Sequence, residues 1–156
     1  DAAVFQWKED FETGNSFINA NSANPYDTSI VRTNEPGKVF EGGGGGMIVV
    51  DATHPTSENI SNDGFPIKAG QAFIELDYKC NPSFQKSLQT SRQGAIIAEY
   101  VGGIRAKESW NKMYIGISEF TGRIQGLEYR IMIKAGLDNG VSNGYVLVDN
   151  IKVISY

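Results

Sequence analysis

Apolar and polar residues alternate along several short segments of the chain, and this period of two predicts β-strands. The clearest case is Ala72–Cys80, where apolar residues alternate with a series that includes Glu75 and Asp77. Residues 127–135 and 111–118 repeat the pattern. One apolar and one polar face are typical of half-buried antiparallel strands. The pattern therefore predicts sheets that each cover a core with one face.

Shorter runs of Val, Ile, Tyr and Phe predict further strands. These cover residues 4–12, 29–33, 39–41, 47–52, 84–89, 95–100 and 145–155. One short helical turn is predicted at residues 119–125, and no apolar stripe of helical period extends beyond about two turns. Residues 19–27 and 54–70 are polar and rich in turn-forming residues, so we expect exposed loops there.

The spacing of turn residues indicates the fold class. Glycine accounts for 18 of the 156 residues, and Asn-Gly, Asp-Gly and Gly-Gly pairs separate the expected strands. About ten short strands joined by such turns are typical of a sandwich. We therefore predict an all-β fold, a two-sheet antiparallel β-sandwich of the jelly-roll type. Residues 1–156 are expected to form this single domain, because no repeat or linker interrupts them.

Composition narrows the chemistry that the chain can support. The 14 Lys and Arg are scattered among 18 Asp and Glu, and without a basic stripe we expect no binding to nucleic acid. The apolar runs are too short for a transmembrane helix. The single Cys80 and the single His54 exclude an internal disulfide and a zinc finger. We interpret His54 as a loop residue and Cys80 as a buried apolar residue.

Five consecutive glycines occupy residues 42–46. Phosphate-binding loops end in Gly-Lys-Ser or Gly-Lys-Thr, and dinucleotide-binding loops lead into a helix. Neither condition is met, because Met47 opens a predicted strand. We interpret the glycines as a flexible or bulged hairpin connection.

Glu75 and Asp77 lie two residues apart on one face of a predicted strand, so their carboxylates are neighbours. A glycosidase needs two carboxylates across a cleft. Lys79 shares their face, and either Lys112 or Arg130 is expected on an adjacent strand, where it would keep both carboxylates ionised. We therefore predict a solvated, salt-bridged sheet face and no catalytic residues; the chain is not expected to be an enzyme.

Aromatic residues on predicted polar faces suggest a sugar-binding surface. Trp110 and Tyr114 share a face with Lys112, and Phe73 lies on the face that carries the two carboxylates. Aromatic rings stack on the apolar faces of sugars, and polar groups bond to the hydroxyls. The same rings could instead pack beneath a loop or between the sheets. The candidate ligand-binding residues are Trp110, Tyr114, Lys112, Phe73, Glu75, Asp77 and Arg130.

Two carboxylates near the chain ends suggest a metal site. Glu12 follows the first predicted strand and Asp149 lies in the last, and the terminal strands of sandwiches often pair. Carboxylate and carbonyl oxygens suit Ca²⁺ rather than Zn²⁺. Asp149 is in phase with Tyr145, Leu147, Ile151 and Val153, so we expect it to point inward, where backbone N–H groups or a lysine could equally satisfy it.

Four segments, taken in order, resemble a known family. They are residues 36–42 (PGKVFEG), 73–81 (FIELDYKCN), 109–115 (SWNKMYI) and 144–153 (GYVLVDNIKV). In these segments the chain is similar to small, mostly uncharacterised Bacteroidetes surface lipoproteins that are assigned a galactose-binding-like jelly roll. The Phe11-Glu12-x-Gly14 and Asp149-Asn150-Ile151 motifs also resemble the calcium-bearing edge of jelly-roll carbohydrate-binding modules.

The resemblance implies a galactose-binding-like fold and a structural Ca²⁺ held by Glu12 and Asp149. It also implies an outer-membrane lipoprotein at the cell surface or in the periplasm of a Gram-negative bacterium, with a lipid anchor on the precursor. We therefore expect a non-catalytic carbohydrate-binding module with a glycan partner. A protein–protein interaction module without a sugar ligand is the alternative, and a small glycoside hydrolase or lyase is the third hypothesis.

Overall fold

A computed structural model describes residues 2–67, 70–82, 84–92, 95–124, 126 and 128–156. Within this part of the chain, twelve strands and one short helix follow one another. The helix is α1, Ser118–Arg123, and none of the described helical residues form a segment long and apolar enough to cross a bilayer. The strands are β1 (Val4–Glu9), β2 (Phe17–Asn19), β3 (Asp27–Thr28), β4 (Val31–Thr33), β5 (Gly45–Asp51), β6 (Thr56–Ser61), β7 (Ala72–Cys80), β8 (Phe84–Arg92), β9 (Ala95–Ile104), β10 (Lys107–Gly116), β11 (Tyr129–Gly136) and β12 (Asn143–Ser155).

The strands form two sheets, which confirms the predicted all-β sandwich. The first sheet has the order β10-β7-β12-β5-β4, and β1 pairs with β12 as well. The second sheet has the order β2-β6-β11-β8-β9. The described pairings are antiparallel except for the short β3, which runs parallel to β6. The first and last strands of the chain therefore meet, as the sequence predicted.

The core lies between the sheets and follows the predicted alternation. The apolar residues of β7, which are Ala72, Ile74, Leu76, Tyr78 and Cys80, are at most 7% exposed. Burial raises the pKa of the Cys80 thiol, which agrees with its interpretation as an apolar core residue. The β7 strand has the bounds that the sequence predicted.

A bulge in β12 changes which residues face the core. The register of β12 against β7 shifts between Asp149 and Lys152, and Asn150 has a positive φ of 48°. Val148 and Ile151 are both fully buried although they are three residues apart. The expectation that Asp149 points into the core is therefore wrong. Asp149 shares the outer face of the sheet with residues that precede the bulge.

The loop predicted at residues 54–70 is interrupted by a strand and the strand predicted at residues 39–41 is absent, whereas the loop predicted at residues 19–27 is present apart from its two end residues. Residues 56–61, expected in a loop, form β6 in the middle of the second sheet. Their inward side chains are polar, and buried hydrogen bonds satisfy them: Asn59 Oδ1 accepts the Ile30 N–H at 2.8 Å, and Asn59 Nδ2 donates to Ser57 Oγ at 2.7 Å. Because these inward residues are polar, the apolar–polar pattern did not indicate a core strand here. Residue 19 ends β2 and residue 27 begins β3, whereas residues 39–41 form no strand.

The glycines at residues 42–46 allow segments of the chain to approach each other closely. Gly45 and Gly46 are the first residues of β5, so this end of the run is sheet rather than a flexible connection. A Cβ atom on Gly46 would lie 2.5 Å from the ring of Phe11, which is fully buried. A Cβ atom on Gly44 would lie 2.2 Å from the Phe11 carbonyl oxygen.

We predict that Gly46→Ala destabilises the fold by about 1–3 kcal/mol, because the added methyl group would overlap a core ring. Urea unfolding measures this change. Gly14→Ala is the matched control, because a Cβ atom there would meet no atom within 4 Å. Equal stability of the two variants would contradict the steric role of Gly46.

Candidate ligand-binding site

The outer face of the first sheet, which is the side turned away from the core, carries an apolar cleft. Leu147 on β12 lies opposite Lys79 on β7 and opposite Met47 on β5. Tyr145, two residues earlier on β12, lies opposite Val49 on β5. Together with two residues from the preceding loop they enclose about 260 Å³. The residues that line this cleft are Gly37, Lys38, Met47, Val49, Lys79, Tyr145 and Leu147.

The cleft combines an apolar floor with donors at its walls. Met47, Val49 and Leu147 supply the floor, and Tyr145 is half-buried beside them. Burial raises the pKa of the Tyr145 phenol, and the negative charge of Glu108 raises it further. The phenol is therefore protonated at neutral pH and able to donate a hydrogen bond. Such a lining accepts the C–H face of a ring-shaped ligand and bonds to its polar edge.

Residues 37–43, which we call the crossing segment, lie across the outer face and form one wall of the cleft. Asp149 holds this segment: Asp149 Oδ2 accepts the N–H groups of Phe40 at 3.2 Å and Glu41 at 3.4 Å. Asn150 adds a hydrogen bond from its Nδ2 to Glu41 Oε1 at 2.8 Å. The bulge of β12 thus fixes the position of the cleft wall.

Asp149 is 1% exposed, and burial raises the pKa of its carboxyl group to about 6. The backbone N–H groups of Asn150, Glu41 and Phe40 oppose this shift, whereas the negative charge of Glu12 adds to it. Asp77 is the cross-strand neighbour of Asp149, and its Oδ2 accepts a hydrogen bond from Asn150 Nδ2 at 3.2 Å. The carboxylate of Asp149 is therefore buried among hydrogen-bond donors.

Glu75, Asp77 and Lys112 meet on the same outer face. The Lys112 ammonium lies 2.8 Å from Glu75 Oε1 and 3.9 Å from Asp77 Oδ2, and Lys152 lies 3.7 Å from Glu75 Oε1. The hydrogen bond to Glu75 is the main cause of the raised pKa of Lys112. The predicted salt bridges are therefore present. The expectation of a solvated face is wrong, because Glu75 and Asp77 are both buried.

The predicted aromatic residues lie on the outer face but outside the cleft lining. Trp110 packs against Phe40 of the crossing segment, with ring centroids 5.4 Å apart. Phe73 contacts Tyr156 edge-on at 6.2 Å. Tyr114, opposite Glu75, is 65% exposed. Of these rings, Tyr114 offers the most open surface.

Arg130 is separate from the other candidates. It lies on β11 in the second sheet, where its Nη1 donates to the carbonyl oxygens of Ser61 at 3.2 Å and Asn62 at 2.8 Å. The expectation that it stands on a strand adjacent to Glu75 and Asp77 is therefore wrong. Polar residues have the same spacing in β7 and β11, so the sequence pattern did not indicate that these two strands belong to different sheets.

Tyr145 and Leu147 line the cleft, but the sequence pattern did not indicate them as site residues. Both were placed in phase with Ile151 and Val153, which are core residues. The shift of phase at Asn150 reverses that assignment. The Asp-Asn pair within an apolar strand was the available signal, because Asn is among the residues that adopt a positive φ most readily.

The carboxylates proposed for calcium contact the same segment but bond to the protein itself. Both oxygens of Glu12 lie near the Gly43 N–H, at 3.0 and 2.9 Å. The guanidinium of Arg32 donates to the carbonyl oxygens of Phe11 at 2.5 Å, Glu12 at 3.2 Å and Gly43 at 3.2 Å. The described residues hold no group of three or more His, Cys, Asp or Glu able to bind a metal. These carbonyl oxygens are therefore bonded to the arginine cation, and the calcium site at Glu12 and Asp149 stays a prediction.

No protein-family model matches the chain, and no curated protein matches it either. Solved structures, in contrast, are similar to this chain. A family 61 carbohydrate-binding module in complex with β-1,4-galactotriose has a TM-score of 0.54 at 11% identity over 94% of both chains. The C-terminal family 22 module of Clostridium thermocellum Xyn10B has a TM-score of 0.60 at 8% identity, covering 97% of this chain and 94% of its own.

A third similar structure is a lysine-to-alanine variant of a family 29 module, made to probe ligand recognition. It has a TM-score of 0.54 at 13% identity and covers 99% of this chain and 92% of its own. At these identities the likeness establishes the fold. The chain has the β-sandwich, jelly-roll fold of carbohydrate-binding modules.

We predict that Arg32→Met destabilises the protein by about 1–3 kcal/mol, because three carbonyl groups lose a charged donor. Arg123→Met, which removes a surface ion pair with Glu99, should change the stability much less, because water screens this pair, and is the control. We expect a chelator to leave the melting temperature of the wild-type protein unchanged. A calcium-dependent rise would instead support the metal site predicted at Glu12 and Asp149.

A second prediction concerns pH. The pKa of Asp149 is raised from 3.8 to about 6, so between these values the folded protein keeps a proton that the unfolded chain has lost. The Asp149 contribution to the free energy of unfolding therefore falls as pH rises from about 4 to 6, by roughly 3 kcal/mol. Denaturant unfolding of the wild type and of Asp149→Ala across this range measures the difference. A pH-independent difference would contradict the shift.

Proposed function

We propose that the chain is a non-catalytic carbohydrate-binding module and that its glycan binds in the cleft on the outer face of the first sheet. The observation that carries the proposal is the cleft itself, which is lined by apolar residues together with Tyr145, Lys38 and Lys79. The fold shared with carbohydrate-binding modules supports the same assignment.

The geometry supports a binding mechanism without a reaction. A sugar ring would cover the side chains of Tyr145 and Val49, which is 43% exposed, with its C–H face. The Tyr145 hydroxyl and the lysine ammonium groups would bond to its hydroxyls. Because the cleft is open on one side, part of this bonding would pass through water, and we expect a dissociation constant in the micromolar to millimolar range.

We also propose that the chain is part of an outer-membrane lipoprotein that acts at the cell surface or in the periplasm of a Gram-negative bacterium. The resemblance of residues 36–42, 73–81, 109–115 and 144–153 to Bacteroidetes surface lipoproteins supports this location. A lipid anchor would belong to the precursor. Such a location agrees with glycan capture outside the cell.

A protein–protein interaction module is the second candidate, and the exposed rings outside the cleft favour it. Tyr114 is 65% exposed and Phe5 is 62% exposed. Both lie on the outer face, since Tyr114 pairs with Glu75 and Phe5 pairs with Ile154. Exposed aromatic residues of this kind are enriched in protein interfaces.

We predict that Tyr145→Ala weakens glycan binding at least about tenfold, which corresponds to the 1.4 kcal/mol expected for a lost ring contact. Calorimetric titration with ligands found in a glycan screen measures the loss, and circular dichroism confirms the fold. Tyr114→Ala is the matched control and should bind as the wild type does. If Tyr114→Ala or Trp110→Ala alone abolishes binding, the ligand lies at the aromatic end of the face, as the sequence suggested. Absence of any glycan ligand would favour the interaction module.

A further inference from the structure

The cleft contains a lysine, Lys79, that has no ion-pair partner among the described residues. Lys79 on β7 lines the cleft and is half-buried. The ion pairs found among the described residues include those of Lys38, Lys112 and Lys152, but none within 4.0 Å for Lys79. A half-buried lysine without a carboxylate partner has no local counter-charge in the protein, so it attracts an anion.

The neighbouring carboxylates are already bonded to groups other than Lys79. Glu75 and Asp77, on the same strand face as Lys79, are buried and bonded to Lys112 and Asn150. Glu35 pairs with the Lys38 ammonium at 2.6 Å, so the second cation at the cleft is already neutralised. The negative charge of Glu108 acts on Tyr145, but among the residues that the structure describes Glu108 forms no ion pair with Lys79 within 4.0 Å. The charge of Lys79 therefore remains for a ligand.

We propose that the cleft selects a glycan that carries a carboxylate on its sugar ring, that is, a uronate polymer. This inference rests on the proposed function and names the ligand class of the same site. A uronate joins an apolar pyranose face to a planar anion. These two parts match the floor, made by Met47, Val49 and Leu147, and the ammonium group of Lys79. The protonated phenol of Tyr145 adds a neutral donor rather than a competing negative charge.

The expected discrimination is about tenfold between a uronate polymer and its uncharged counterpart. Fully exposed ion pairs contribute little, because water and salt screen them. The apolar floor excludes water from one side of Lys79, so an ion pair there is screened less. The overall net charge of −4 opposes the approach of a polyanion, which makes a local site necessary for such binding.

The test uses pairs of ligands that differ only in charge. Polygalacturonate, alginate and glucuronoxylan are each compared with the same polymer after methyl esterification of its carboxylates, by calorimetry or affinity electrophoresis. The protein variants are the wild type, Lys79→Met, which keeps the apolar stem, and the control Lys134→Met. Lys134 pairs with Glu58 on the second sheet, away from the cleft. A sulfated dextran serves as a probe for nonspecific attraction.

We expect at least one uronate polymer to bind the wild type about tenfold more tightly than its ester does. Lys79→Met should remove the advantage of the acid, so that this variant binds acid and ester equally, whereas Lys134→Met should keep the difference between them. The advantage of the acid should also decrease as the salt concentration rises. Together these results would assign the charge selectivity to Lys79.

Three outcomes would overturn the inference, and they separate it from the proposed function. If acid and ester bind equally and Tyr145→Ala abolishes both, the cleft binds neutral glycans and only the uronate selectivity fails. If the sulfated dextran binds as tightly as the uronates and Tyr145→Ala has no effect, the attraction is nonspecific and the uronate proposal fails. If the wild type binds no uronate polymer, ester or neutral glycan in the screen, both proposals fail.

Discussion

The bulge at Asn150 is the local feature on which the candidate site depends. Strand β12 lies at the centre of the first sheet and pairs with β7, β5 and β1. Without the shift of phase at the bulge, Val148 and Ile151 could not both face the core. The same shift places Asp149 on the outer face, where it holds the crossing segment. Core packing and the cleft wall are thus set by one backbone irregularity.

Burial of charge accompanies this arrangement. Asp149, Asp77 and Glu75 are all buried on the outer face, and each is satisfied by N–H or ammonium donors. Removing a buried charge from water is unfavourable unless such partners compensate, so the crossing segment and Lys112 are needed where they are. Polar contacts therefore fix a segment that apolar packing alone would leave free to shift.

The outer face consists of two regions with different chemistry. On one side of the crossing segment, the cleft joins an apolar floor to the unmatched charge of Lys79. The other region carries the rings and ion pairs that the sequence singled out, and there Lys112 is already neutralised by Glu75. Part of the Trp110 ring packs against Phe40. For this reason we place the proposed ligand in the cleft, although the aromatic residues gave the stronger sequence signal.

The sequence by itself determined the fold class and the faces of regular strands such as β7, because alternation of apolar residues directly reflects burial on one side of a sheet. It could not identify β6, whose inward residue Asn59 is polar and satisfied by Ser57 and Ile30. The sequence also did not indicate to which sheet Arg130 belongs or which face of β12 carries Tyr145. These depend on strand pairing and on one bulge, which bring distant residues together and leave little trace in local periodicity. Only the tertiary structure decided where the cleft lies.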